Sequence, residues 1–371
     1  MNQDIFQIAI VGAGMAGCCL AEKLLEKGCS PEHIVILHAP GRFSPASSAP
    51  SAILHPLTGR TLKPKARVLE AHKYAADWLK VQQASSSRSF VQEIPVLRPF
   101  ISDNVVGKRL KKSMRRVLAD ESLPKLFEAL SGEEVAKRCP FLAPSDGGAL
   151  ILSGYAVELS VLNQEQHRRL QEAGVTFIRD ELLDFHKVDE HWTLQGKRDA
   201  LLAHRMVLAV GSALGKWLPI PELEEIHGEL LELIPAQEII LNEVVSFGGH
   251  VAPGQDESLF MGSTYYGAGE TPSGNPVQVE AMLKEKIQFF WPSFSTKEIL
   301  NLWGGARSVY RKDYTPIVGE FPERKGLFVL GALASKGLLW TAFLAEQLSS
   351  FLLTGVDDIP SEVNVKRLGV G

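Results

Sequence analysis

Three glycines near the amino terminus have the spacing of a phosphate cradle. Gly12, Gly14 and Gly17 in GAGMAG fill a G-x-G-x-x-G pattern. The first permits a tight turn, the second lets backbone N–H groups approach a pyrophosphate, and the third lets a helix pack close to a strand. Two other segments concentrate positive charge. HPLTGRTLKPKAR (55–67) carries Arg60, Lys63, Lys65 and Arg67, and GKRLKKSMRR (107–116) carries six cations and no acid. Such segments are a solvated face, a footprint for a phosphate backbone, or an attractor for a small carboxylate.

Chemistry of this kind needs elements to hold it. FQIAIV (6–11) is a buried-strand pattern, CCLAEKLLEKG (18–28) a helix and HIVILHAP (33–40) a second strand. Strand, glycine turn, helix and strand make a dinucleotide-binding unit, with the positive helix end facing the phosphates. An acid normally ends the second strand and takes the ribose hydroxyls. His38 stands there, and one neutral imidazole accepts one hydrogen bond where a carboxylate accepts a pair. HRMVLAVGSALGKWLP (204–219) reads as a buried strand and turn. The stretch 311–355 reads as extended TPIVG, strand GLFVLGA, a small-residue turn and a long apolar helix from ASKGLL. The nucleotide domain therefore draws on first, middle and last parts of the chain, expected at 1–85, 150–218 and 305–371. A substrate domain is expected at 86–149 and 219–304. The fold class is α/β (α+β, two domains): a discontinuous Rossmann-like domain plus a smaller domain with an antiparallel sheet. Within 107–116, apolar Val106, Leu110, Met114 and Leu118 recur every four residues, which predicts an amphipathic helix with a charged outer face.

The 371 residues carry a net charge of −4 and 45% hydrophobic residues, the profile of an ordinary globular protein. Cys18, Cys19, Cys29 and Cys139 show no paired spacing, so neither a disulfide framework nor a zinc site is expected, and a reducing, cytoplasmic setting fits. No apolar run has membrane-spanning length, and no basic leader precedes the first strand.

IVGAGMAG, SSAPSAILHP, VLAVG, GSTYYG, GGARSVYRKDYTPIVG and VLGALASKGL together resemble the D-amino-acid oxidase superfamily of FAD-dependent oxidoreductases over nearly the whole chain. Within it the sequence is similar to glycine oxidases and to the FAD domain of the bifunctional tRNA 5-methylaminomethyl-2-thiouridine biosynthesis enzyme. AILHPLTG and VLGALASKGL point to the latter, whose accompanying methyltransferase domain is not expected here. The resemblance implies FAD as cofactor. It places Gly12, Gly14, Met15, Ala16, Gly17 and His38 around the adenosine pyrophosphate. It places Ser47, Ser48, Ala52 and His55 on the loop crossing the flavin, without a covalent link through His55 being expected. Ala209 and Gly211 follow in the middle strand and turn, and Gly331, Ser335, Lys336, Gly337 and Leu338 lie beside the flavin pyrimidine. A helix N-terminus there, with Lys336, stabilises charge on a reduced ring.

The resemblance also implies that Arg307 holds the substrate carboxylate, which a guanidinium fork does bidentately. Pairing with Asp313 is the structural alternative, and Arg311 is a nearby rival. His250 matches a pocket position and either bonds substrate or is a solvent-facing loop histidine. Tyr265 lines the pocket or is a core tyrosine. No metal site and no Ser/His/Asp constellation are visible. The expected reaction is oxidation of an amine C–N bond to an imine that water hydrolyses.

Three functions remain open. One removes the carboxymethyl group from carboxymethylaminomethyluridine in tRNA, bound through 60–67 and 107–116. Another oxidises free glycine, sarcosine or a D-amino acid. The third is a flavin-binding assembly protein without turnover.

Overall fold

The computed structural model describes residues 5–40, 46–59, 62, 64, 67–101, 105–119 and 126–369. Arg60, Lys63 and Lys65 lie outside the described residues.

The first sheet is built on β1 (Ile5–Val11), flanked by parallel β2 (Ile34–His38) and β12 (Ala200–Leu208). β9 (Thr176–Arg179) extends it beyond β2. β12 divides its free edge. Its first half pairs antiparallel with β11 (His191–Gly196), which continues to β10 (Leu182–Val188). Its second half pairs parallel with β19 (Leu327–Gly331), next to β18 (Ile317–Glu320).

Alternation along the central strands explains the layers. Ile8, Ile10, Ile34 and Ile36 enter one core with α1 (Met15–Glu26), α2 (Val68–Ala84), α5 (Leu159–Glu172) and α8 (Gly337–Thr354). Ala9, Val11, Val35 and Leu37 enter the core on the other face with Trp192 and Leu214, the latter on the short helix α6 (Leu214–Trp217). Period-two alternation that is apolar on both faces belongs to a sheet covered on both sides.

The second sheet runs β17 (Thr296–Tyr310), β13 (Leu223–Pro235), β16 (Leu259–Gly262), β15 (His250–Pro253), β14 (Val244–Ser246), β5 (Val96–Pro99), β7 (Gly148–Ile151) and β6 (Glu128–Leu130). All neighbours are antiparallel except β14 and β5. α4 (Gly132–Arg138), which opens on a Ser131/Glu134 capping box, and α7 (Pro276–Ile287) complete this part. A third sheet joins β3 (Ala52–Leu54), β8 (Tyr155–Val157) and β4 (Val91–Glu93).

The basic segment lies on α3 (Val105–Leu118). Its packed stripe is Leu110, Met114 and Val117. Leu118, expected in that stripe, is instead 56% exposed. Steps of four overshoot a 3.6-residue turn by about 40° each, so after two steps the stripe passes to the residue one earlier.

Candidate functional site

The glycine turn has no room for side chains. Gly12 has φ +113° and donates its N–H to the Leu37 carbonyl at 2.8 Å. A Cβ on Gly12 would lie 2.3 Å from the Ala209 carbonyl oxygen, and one on Gly17 1.9 Å from the Gly12 carbonyl oxygen. The turn is thus clamped between β2, β12 and α1. Gly14 caps α1, which has no side-chain cap of its own. The Met15 N–H donates across the chain to Ser47 Oγ at 2.9 Å.

The predicted flavin-side segments come together here. Met15 is buried, and its Cε lies 3.6 Å from where a Gly337 side chain would begin, so α1 and α8 start side by side. Ala16 packs at the edge of the same core. Gly331 closes β19 against Leu214. Ala332 and Ala334 have positive φ (52° and 50°), a conformation that costs a non-glycine residue and marks a specified turn. The turn Ala334–Lys336 leads into Gly337 and Leu338 of α8. β17 passes this turn, the turn Ala46–Ser48 and the turn Gly211–Ala213. Trp303 of β17 donates Nε1–H to Ser48 Oγ at 3.2 Å. The strand that carries Arg307 is therefore tied to the loop expected to cross the flavin.

Arg307 is half-buried, with its guanidinium lodged against Gly228 of β13. Its one side-chain hydrogen bond among the described residues is a long one, Nη2–H to Ser263 Oγ at 3.5 Å. No described carboxylate lies within ion-pair distance of it. Burial pulls its pKa down, and the Tyr265 hydroxyl opposes that. Its Cζ lies 6.0 Å from the Tyr265 ring centre. Asp313 pairs with Arg367 at 3.2 Å and not with Arg307. Arg311 is occupied: Nη1–H donates to Tyr265 Oη at 2.9 Å, and Nε lies 3.3 Å from Glu224. Tyr265, 49% exposed, is thus a surface tyrosine bracketed by two arginines.

His250 sits on β15, opposite Gly262, with Nε2 buried and unbonded among the described residues. Burial brings its pKa to about 4. His55 is buried too, with Nδ1 unbonded. Burial, then Arg98, His72 and His250, bring it to about 3. Both are neutral imidazoles at physiological pH, each with one nitrogen available.

Several participants carried no sequence signal. Glu229, 2% exposed beside Gly228, accepts from the Gly274 N–H at 2.7 Å, the Ser273 N–H at 3.2 Å and the Tyr266 hydroxyl. It pins the segment that carries Tyr265. Arg98 donates to the carbonyls of Leu57 and Gly59 at 2.7 and 2.6 Å, holding the segment after His55. Trp303 was not singled out, although period two along β17 puts it on the strand face of Arg307. His167 of α5, which contacts Ala13 across 154 positions, had no such signal.

On α3, Lys108, Arg109, Lys112, Arg115 and Arg116 are exposed. Lys111 pairs with Asp146 at 2.9 Å, and no described carboxylate lies within ion-pair distance of the other five. Arg67 pairs with Glu70 and Glu362. Among the described residues no cluster has the make-up of a metal site, and no helix is long and apolar enough to cross a membrane.

A glycine turn clamped between two parallel strands and a helix start is the geometry of a dinucleotide-binding fold. The family model described as FAD dependent oxidoreductase (DAO) matches residues 7–350, and the chain belongs to that family: it is an FAD-dependent enzyme. The fold agrees. Glycine oxidase from Geobacillus kaustophilus superposes with TM-score 0.77 at 19% identity, covering 94% of each chain. L-α-glycerophosphate oxidase from Mycoplasma pneumoniae with FAD bound gives TM-score 0.80 at 17% identity, covering 97% of this chain and 99% of that one. The tRNA 5-methylaminomethyl-2-thiouridine biosynthesis bifunctional proteins of Marinobacter nauticus and Caulobacter sp. are 26% and 25% identical over 92% and 95% of this chain. The chain spans about half the length of these curated relatives (54% and 55%). The cradle at Gly12, the uncapped start of α1 and the unbonded buried nitrogens of His55 and His250 fit a bound FAD.

Proposed function

We propose that this chain oxidises the C–N bond of an amine that bears a carboxylate. The substrate proposed is carboxymethylaminomethyluridine in tRNA, which loses its carboxymethyl group. The observation that carries the first part is the Arg307 guanidinium, half-buried with no described carboxylate in reach. A partly desolvated guanidinium without a counter-ion is a binding site for one. The tRNA assignment is supported by the five exposed cations of α3 and by the curated relatives.

In this reading Gly12, Gly14, Met15, Ala16 and Gly17 would hold the dinucleotide, with His38 toward the ribose. The segment Ser47 to His55, the turn Gly331 to Leu338, Ala209 and Gly211 would hold the ring. Residues 1–85, 150–218 and 305–371 hold the cofactor, and 86–149 and 219–304 cover the substrate. Bound FAD supplies the two-electron acceptor. Arg307 fixes the carboxylate and so sets which C–H faces the ring, and Tyr265 shields that pair from water. The substrate loses a hydride from carbon and a proton from nitrogen, forming a C=N bond. Water adds to that carbon, the C–N bond breaks, and glyoxylate leaves the aminomethyl base. Positioning supplies much of the rate. His250 and His55, each with a buried ring nitrogen unbonded among the described residues, would accept a hydrogen bond from the amine or the water.

A second reading, a free small amino acid as substrate, is favoured by coverage at both ends of the glycine oxidase fold. An anaerobic absorption spectrum separates the two. Bleaching of the flavin by tRNA bearing the carboxymethylaminomethyl group, and not by glycine or sarcosine, is the expected result. Bleaching by glycine or sarcosine alone overturns the tRNA reading.

A further inference from the structure

The second strand ends in His38 where an acid would take ribose hydroxyls. His38 follows Leu37, whose carbonyl binds the Gly12 N–H, so this end of β2 borders the glycine turn. A second imidazole reaches the same turn from α5. His167 Nε2 lies 2.6 Å from the Ala13 carbonyl oxygen, and the two ring centres are 6.4 Å apart. Phe177 of β9 touches both rings at 6.3 and 5.2 Å between centres.

The hydrogen bond of His167 fixes its tautomer. A carbonyl only accepts, so Nε2 carries the proton in that bond and Nδ1 of the neutral ring keeps a lone pair. A neutral His38 ring likewise has one nitrogen with a lone pair. In that form the two imidazoles present two acceptors, the number a carboxylate offers to a vicinal diol. We propose that His38 and His167 together form the ribose-diol site of the bound FAD. The inference rests on FAD lying along the Gly12–Gly17 turn.

A consequence separates this pair from a carboxylate. Protonation turns each acceptor into a donor and gathers positive charge. The charged groups acting on His38 are His167 from α5 and Arg179, its register partner on β9. The glycine turn, 12–14, carries no titratable side chain. Burial first, then these two groups, hold His38 below the usual imidazole range. These influences favour the neutral form of His38, the form that accepts.

The test uses apoprotein and flavin fluorescence, with ADP and 2′,3′-dideoxy-ADP as competitors of FAD. At pH 7.5 ADP is expected to compete roughly tenfold better, the worth of one to two neutral hydrogen bonds. The preference should vanish in a His38→Phe/His167→Phe variant, with circular dichroism reporting the fold. It should persist in His38→Glu, whose carboxylate offers two acceptors by itself. Equal competition at pH 7.5 overturns the proposal without any variant. Apoprotein that takes up no FAD overturns the placement on which the proposal rests.

Discussion

The Arg307 guanidinium occupies the space that the missing side chain of Gly228 leaves on the neighbouring strand. A Cβ there would stand 2.2 Å from Nη2. The glycine and the arginine are two residues out of register on β13 and β17, where Ile226 pairs with Arg307 and Gly228 with Gly305. Arg307→Met should raise KM for a carboxylate substrate by about 1.5–3 kcal/mol equivalent, the range for a hydrogen bond to a charged group. Gly228→Ala should push the fork aside and raise KM in the same direction by less. Steady-state kinetics on both variants check this, and unchanged KM in Arg307→Met removes the residue from the site.

Neutralising the outer face of α3 should separate the two candidate substrates. Replacing Lys108, Arg109, Lys112, Arg115 and Arg116 by alanine removes exposed charge without touching Leu110 or Val117. Binding of tRNA should weaken, and its log–log salt slope should flatten by roughly 2–4, near one per lost phosphate contact. Turnover of a free amino acid should not change. Filter binding across a salt series decides it, and an unaltered slope means that α3 is only a solvated face.

Stability should fall on the acid side because of two buried histidines. His55 and His250 have folded pKa values of about 3 and about 4, below the roughly 6.5 of an unfolded imidazole. Between those values the unfolded chain binds more protons, so unfolding is favoured as pH drops. Their contribution is fully present above about pH 6.5 and is lost as pH falls through 4 and then 3. Melting temperatures measured from pH 7.5 to 4.5 should decline, and less steeply in His55→Gln. An identical slope in that variant contradicts the assignment.

Gly17→Ala is the sharpest test of the cradle. The added methyl meets a backbone oxygen at 1.9 Å, which no rotamer relieves. Helix and strand must part, at a cost of roughly 1–3 kcal/mol for overpacking of this kind. The purified variant should carry less flavin, read from its absorbance ratio, and melt earlier. Full flavin occupancy would show that α1 does not need this approach.

What was legible in the sequence was local. Gly12, Gly14 and Gly17 lie within six residues, so their spacing announced the turn. The buried strands on both sides of the sheet announced themselves as apolar runs. The residues that escaped are made relevant by tertiary contact. His167 reaches Ala13 from a helix 154 positions away. Glu229 reads as one more acid in GELLEL until its carboxylate is seen under Gly274. The misreading of Leu118 was geometric, because an interval of four describes a helix face for only one or two turns.

The β17 strand borders turns at residues 46–48, 211–213 and 334–336. This has a consequence for synthesis on the ribosome. The early strand, the middle strand β12 and the late strand β19 are neighbours in space but distant in order. A nascent chain that stops before residue 332 has no α8 and no second helix end beside the turn at 46–48. Contacts of such sequence separation form slowly and late. Cofactor capture should therefore wait until α8 has been made, and translation products truncated before it should emerge colourless.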